Sequence, residues 1–371
     1  MANNEPVGRL ATAFSPFAIG SRTLKNRFIR SATWDGMAGS QGEICPAHHR
    51  LYTDLAAGGC ALLTSGYTYV SLEGRQHPGQ AGLDHEQLIE PLAHLAATVH
   101  QHRALLFIQL VHCGGLADPK LSGQPAIAPS AIGHPLFPCR PTALTPADIK
   151  RLISSFASAA RRAKEAGCDG IQLHAAHGYL ISQFLSPALN CRRDDFGGSI
   201  RNRFRFLEEC YLQVRQEVGR DFPVTIKING QDYLDGGLTL EESMEIGQRL
   251  VELGLDAIEV SGGTKISSRK QPVIRNIDEP GKEAYFLAEA AAIQQAVDIP
   301  VITVGGIRSP QTITAIGDRK IPFIALCRPL IREPALINRW QDGDLSPARC
   351  ISCNGCFKPA YQGKGIRCSR S

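Results

Sequence analysis

Nowhere in the sequence do 18 apolar residues follow one another, so no membrane-spanning helix is expected. The opening residues, MANNEPVGRLATAFSPF, hold no apolar core of a signal peptide, and the chain is read as cytoplasmic. Neither sign of charge dominates: 40 lysines and arginines stand against 35 aspartates and glutamates, a formal net charge of +5. So small an excess suits anionic small molecules and gives no argument for nucleic acid as a partner. Tryptophan is scarce, with only Trp34 and Trp340, which leaves little from which to build an aromatic cage for a cation. No GxGxxG follows any apolar run, which removes the main support for a doubly wound open sheet. No internal repeat is present beyond an alternation of strand-like and helix-like segments.

That alternation is the main positive signal. Eight short apolar runs read as strands: FIRSA (28–32), ALLTSG (61–66), ALLFIQL (104–110), DGIQLH (169–174), VTIKI (224–228), AIEVSG (257–262), VITVG (301–305) and FIALC (323–327). Runs of this length without polar alternation suit strands buried on both faces of a parallel sheet. Amphipathic segments lie between them. Thr145-Pro146 starts one by capping and by proline in the first turn, with Leu152, Phe156, Ala159, Ala163 and Ala166 as its apolar face. Thr239 with Glu242 three residues later forms a capping box that opens another. Eight strands alternating with about eight helices predict a (β/α)8 TIM barrel. Two connections are long: 111–145, rich in proline and glycine, is read as a lid or cap. Residues 263–281, with Lys265, Arg269, Lys270 and Arg275, read equally well as a solvated loop or a binding loop.

In such a barrel the C-terminal strand ends carry the chemistry. LHAAHGYL puts His174 at the end of the fourth strand, with His177 and Tyr179 just beyond it. A lone histidine is more often structural, but three donors converging on the functional face favour a site. A neutral imidazole offers one N–H, so the pair can hold one oxygen, and a tyrosine stays protonated at neutral pH and can deliver a proton. A phosphate site is expected after strands seven and eight, where Gly305 and Gly306 allow close N–H approach and Arg328 supplies the countercharge. Gln109 and Lys227 end or interrupt apolar strands and suggest a planar, polar-edged cofactor. Lys227 is either in a salt bridge with a strand-end carboxylate or a cation facing a developing anion such as a reduced flavin.

These residues carry a resemblance. The blocks FSPFAIGSRTLKNRFIRSAT, FIQLVHCGG, VITVGGIRSPQ and ALCRPLIREP, with the long stretch from LTPADIKRL to DDFGGSIRNR, resemble the old yellow enzyme family of FMN-dependent ene-reductases over residues 14–340. The resemblance implies that Ala32 and Thr33 contact the flavin N5 and O4 edge, Gln109 its pyrimidine edge and Lys227 its N1–C2 region. It implies that Gly305, Gly306 and Arg328 hold the FMN phosphate, that His174 and His177 bind the substrate oxygen, and that Tyr179 donates the proton. Hydride would come from NAD(P)H by way of FMN, and the substrate would be a small molecule with a carbonyl-activated alkene. Three positions depart from the family pattern: Lys227 stands for arginine, Cys327 for glycine, and Trp34 for a small polar residue beside the flavin ring. Asp194, Asp195 and the neighbouring arginines are expected to pin the following helix.

Of the 12 cysteines, eight are scattered from Cys45 to Cys327, as suits a reducing compartment. Cys350, Cys353, Cys356 and Cys368 crowd the last 22 residues in the spacing C-x2-C-x2-C-x11-C. Four thiolates so spaced can hold a 4Fe–4S cluster or a structural zinc, or stand empty; successive x2 gaps fit a cluster better than paired zinc ribbons. The segment also resembles the iron–sulfur segment of 2,4-dienoyl-CoA reductase and trimethylamine dehydrogenase. The sequence ends three residues past Cys368, so no FAD or NADPH domain is expected in it. The expected division is an FMN-binding barrel over residues 1–341 and a cysteine-rich tail over 342–371. Two other readings stay open: amine dehydrogenation, and a flavin and iron–sulfur relay serving a separate electron-transfer protein.

Overall fold

The eight apolar runs become eight strands because nearly every residue in them is buried, with side chains on one face lining the barrel interior and on the other meeting helices. In the computed structural model, which describes residues 10–370, these are β1 (Phe28–Arg30), β2 (Leu62–Thr64), β3 (Leu105–Val111), β4 (Gly170–Ala175), β5 (Val224–Asn229), β6 (Ala257–Ser261), β7 (Val301–Val304) and β8 (Phe323–Leu326). All pair in parallel with their sequence neighbours, and β8 pairs with β1, Leu326 against Arg30, which closes the ring. The closure decides for the (β/α)8 barrel and against the open sheet. The first nine residues, the start of the segment read for a signal, lie outside the described residues.

Helices α1 (Pro46–Ala57), α2 (Ile89–His100), α3 (Pro146–Glu165), α4 (Ile200–Val218), α5 (Leu240–Glu252), α6 (Leu287–Ala296), α7 (Pro310–Asp318) and α8 (Leu336–Gln341) surround the ring. Both sequence caps form: Thr145 Oγ1 accepts from Asp148 N–H at 3.2 Å and Thr239 Oγ1 from Glu242 N–H at 3.3 Å. The apolar face expected on α3 is buried throughout. None of the helices among the described residues is long and apolar enough to cross a membrane.

The two ends of the barrel differ. At the strand starts a hairpin, Phe17–Ile19 with Arg22–Leu24, packs Ile19 and Leu24 against Ile29, Leu62, Phe107, Ile302 and Phe323. That apolar plug leaves polar chemistry to the other end. There the long connection after β3 folds into a two-stranded pair, Ile127–Ala128 with Thr142–Ala143. Arg192 pins it, donating to the carbonyls of Pro129 and Leu144 at 2.8 and 2.7 Å while Asp194 holds the same guanidinium. So Asp194 fixes a loop, while the following helix, which this segment was expected to pin, is held through Arg205 Nε donating to the Asp195 carbonyl at 2.8 Å. The cysteine-rich tail also lies at this end. Ile366 N–H donates to Asp35 O at 2.7 Å, and Trp34, Cys356, Ala360 and Ile366 share an apolar cluster.

Candidate active site

A cavity of about 870 Å3 opens at the C-terminal strand ends. It is lined by every site residue expected from the sequence outside the tail thiols: Ala32 and Thr33 after β1, Gln109 on β3, His174 on β4 with His177 and Tyr179 in the turn beyond, Lys227 on β5, Gly305 and Gly306 after β7, and Arg328 after β8. The barrel accounts for this convergence, since parallel strands bring their last residues to one rim.

The turn after β4 is tightly specified. His177 has φ 65° and Gly178 φ 80°, and a Cβ on Gly178 would lie 3.1 Å from Thr264 Cβ, so only glycine fits easily. A left-handed histidine is uncommon, and this one is held by a bridge to Thr264 and by its N–H donating to Asn229 Oδ1 at 3.1 Å. The turn sets the His174 ring 5.1 Å from that of His177 and 4.8 Å from that of Tyr179, both edge-on.

The protonation states follow from burial. Burial pulls both imidazoles well below their ordinary range, and the Lys227 ammonium lowers both further. Both rings are therefore neutral. His174 Nδ1 accepts from the N–H of Ala176 at 3.3 Å, which puts the ring proton on Nε2. Ser261 Oγ lies 2.8 Å from His177 Nε2, leaving Nδ1 for another partner. Burial also raises the Tyr179 phenol far above its usual value, so it keeps its proton. Tyr179 and Tyr67 both donate to Oε1 of Gln76, at 3.0 and 3.1 Å.

At the other side Gly305 and Gly306 have φ 128° and 70°, and a Cβ on either would lie 3.0–3.1 Å from the Tyr285 ring. The backbone there is bare because no side chain fits. Arg328 is buried and donates to Ile274 O at 2.6 Å and Asn354 Oδ1 at 2.8 Å. Cys327 has φ −128°, so the glycine usual at that position is not required, and its Sγ sits 2.8 Å from Thr33 Oγ1. Lys227 pairs with Glu259 at 2.9 Å, the salt-bridge reading of that lysine, and it also lines the cavity. A room of this size with an amide, a cation pair, bare glycine backbone and a buried arginine has the donors that FMN needs.

Sequence reasoning passed over several of the lining groups. Gln76, His77 and Tyr67 come from the segment after β2, and Ser261 from the end of β6. The loop 263–281 contributes Lys265 and Arg275 to the lining, while its Arg269 is exposed and paired with Asp235. The tail contributes Asn354, Phe357, Lys358 and Tyr361, with the Tyr361 ring 4.8 Å from Trp34 and 5.5 Å from His77. Trp34 thus packs against the tail, its ring tilted to that of Tyr361, where a small polar residue was the family expectation. Among the described residues, no aspartate or glutamate lines the cavity.

The four tail thiols are free, and Cys356 is buried. Backbone N–H groups of Ser352 and Arg370 donate to the Cys350 and Cys368 sulfurs at 3.4 Å. Among the described residues, no three His, Cys, Asp or Glu side chains are gathered closely enough to hold a metal ion.

Residues 12–345 match the model of the NADH:flavin oxidoreductase / NADH oxidase family. A metal reductase of Desulforamulus reducens is 36% identical over 97% of this chain and 53% of its own length. A cinnamate reductase of Clostridium sporogenes is 31% identical over 93% of this chain and 55% of its own length. A solved complex of 2-naphthoyl-CoA reductase with 2-naphthoyl-CoA superposes with a TM-score of 0.89 at 29% identity, covering 97% of this chain and 56% of that one. The chain spans about half the length of these relatives.

Proposed function

The chain belongs to the NADH:flavin oxidoreductase / NADH oxidase family, and from that premise we propose that it is an FMN enzyme reducing carbonyl-activated carbon–carbon double bonds with NAD(P)H. The single observation that carries the reading is the group of two imidazoles and one phenol set beside one another in the cavity. FMN, when bound, would supply the hydride-transfer chemistry between NAD(P)H and the alkene.

The chain's own residues do the rest. Gly305, Gly306 and Arg328 hold the phosphate, and Ala32, Thr33, Gln109 and Lys227 the ring. His174 Nε2–H and the free nitrogen of His177 hold the carbonyl oxygen, whose charge grows as the double bond is reduced. Each well-placed donor contributes about 3 kcal/mol there, since donors fixed in a dry site need not reorganise. Tyr179 gives its proton to the α-carbon. An imidazolium pair would bind anions more tightly but would compete with Tyr179 as the acid, so burial serves the division of labour.

Amine dehydrogenation is disfavoured by the lining. A cationic amine would enter a cavity edged by Lys265, Arg275, Arg328 and Lys358, with no carboxylate among the lining residues described. For the tail, we infer a 4Fe–4S cluster on Cys350, Cys353, Cys356 and Cys368, gathered when the cluster is inserted, with a separate electron-transfer protein as partner. Residues 342–371 then form an iron–sulfur segment attached to the barrel. The test of the main reading is anaerobic turnover of an enone or enoate with NADH and NADPH. Consumption of nucleotide matched by saturated product supports it; amine oxidation with no alkene reduction would overturn it.

A further inference from the structure

Glu259 on β6 stands opposite Lys227 on β5 in the strand register and is 0% exposed. Its Oε1 accepts from Lys227 Nζ at 2.9 Å and from Ser31 Oγ at 2.6 Å. Its Oε2 accepts from Gln172 Nε2 at 2.9 Å, and Gln172 Oε1 accepts from Gln109 Nε2 at 2.7 Å. One carboxylate therefore ties the end of β1 to β3, β4 and β5 across the barrel interior. Burial alone would push this carboxyl up, but the Lys227 ammonium and the hydrogen bonds from Ser31 and Gln172 outweigh it and keep the group ionised.

An ionised carboxylate only accepts hydrogen bonds. It thus sets the direction of the whole relay. Gln172 must turn its NH2 group to Glu259, so its carbonyl faces Gln109, and Gln109 must turn its own NH2 group to Gln172. The Gln109 carbonyl oxygen is left as the atom that can accept from a molecule in the cavity, which Gln109 lines. The same carboxylate cancels the charge of Lys227, which also lines the cavity. An unpaired cation there would stabilise any negative charge developing on a bound ring; a neutral pair does so far less.

The geometry points to Glu259 as the positioning residue of the cofactor site, one that fixes Gln109 as an acceptor for a ring N–H and neutralises Lys227. It does not touch the cavity itself and acts through Lys227, Ser31 and Gln172. The inference rests on the reading of the cavity as an FMN site.

The experiment measures the two-electron midpoint potential of bound FMN, and its dissociation constant, in the full chain and in Glu259→Gln, Glu259→Asp and the double variant Lys227→Met with Glu259→Leu. Loss of the carboxylate in Glu259→Gln leaves Lys227 uncancelled. The reduced-to-oxidised ratio at a fixed potential should rise at least tenfold, about 30 mV upward for a two-electron couple. Glu259→Asp should shift it less and in the same direction. The double variant has no charge to cancel and an apolar pair in its place, so its potential should return to within threefold of the starting ratio. FMN affinity should fall at least tenfold in both Gln and double variants, because the relay loses its fixed direction. If Glu259→Gln does not fold, the double and Asp variants carry the test. Potentials and affinities that match the unmodified chain in every soluble variant would overturn the role of Glu259 while leaving the FMN site standing. An unmodified chain that takes up no FMN would overturn both.

Discussion

The hydroxyl of Tyr179 donates to Oε1 of Gln76 at 3.0 Å. Gln76 also accepts from Tyr67, so one amide oxygen aims two phenols. The acid assigned to Tyr179 is thereby held in one orientation before substrate arrives. Gln76→Leu removes that support. We expect alkene reduction to fall about tenfold, the worth of one ordinary hydrogen bond, with flavin reduction by NAD(P)H unchanged. Separate rapid-mixing measurements of the two half-reactions check this; equal slowing of both would refute it.

The histidine pair should bind phenols, because a phenolate oxygen resembles the growing enolate charge and its ring can stack on flavin. Adding a para-substituted phenol to the FMN-loaded protein should raise a long-wavelength charge-transfer band. The band should disappear in His174→Ala with His177→Ala. If the double variant keeps it undiminished, the two rings serve only the fold.

Stability should drop as the solution is made acid. Burial lowers His174 and His177 well below the usual histidine value, and lowers His77 and His112 to about 4. Between roughly pH 6.5 and 4 the unfolded chain binds protons at these positions that the folded chain refuses. Unfolding therefore takes up protons, and stability falls with pH, by up to about 1.4 kcal/mol per pH unit for each such histidine. His48, raised by Asp35 against its own burial, acts in the opposite sense at one position. The melting temperature should be lower at pH 5.5 than at 7.5; an equal or higher value would contradict the neutral rings.

The tail assignment makes a countable claim. Protein purified without air should hold about four iron and four sulfide per chain, and Cys356→Ser should lose most of both. Stoichiometric zinc, or four thiols open to alkylation with no metal, would overturn the cluster.

Much of this was legible before the fold was known, for a physical reason. Strands buried on both faces must be apolar throughout, so VTIKI, AIEVSG and VITVG stand out from their surroundings, and the period of the helices between them does the same. His174, His177 and Tyr179 lie within six consecutive residues, so their convergence needed only one strand end. Glu259, Gln76 and Tyr67 were missed because their partners come from other strands, and only barrel closure brings these together. A signal did exist for Glu259. Lys227 and Glu259 are single opposite charges inside neighbouring strand runs, and adjacent buried strands with one charge each invite pairing across the register. The tail was read for its thiols alone, and its Asn354 and Tyr361 carried no pattern that would place them over the barrel mouth.

The most direct test of the central claim is Tyr179→Phe, followed by stopped flow through both half-reactions. The substitution removes one hydroxyl and leaves Lys227, Gln109 and the histidine pair in place. Reduction of bound FMN by NAD(P)H should proceed at the unmodified rate, while reoxidation by an activated alkene should slow about 100-fold or more. Alkene reduction at the unmodified rate, or an equal loss in both steps, would contradict the account.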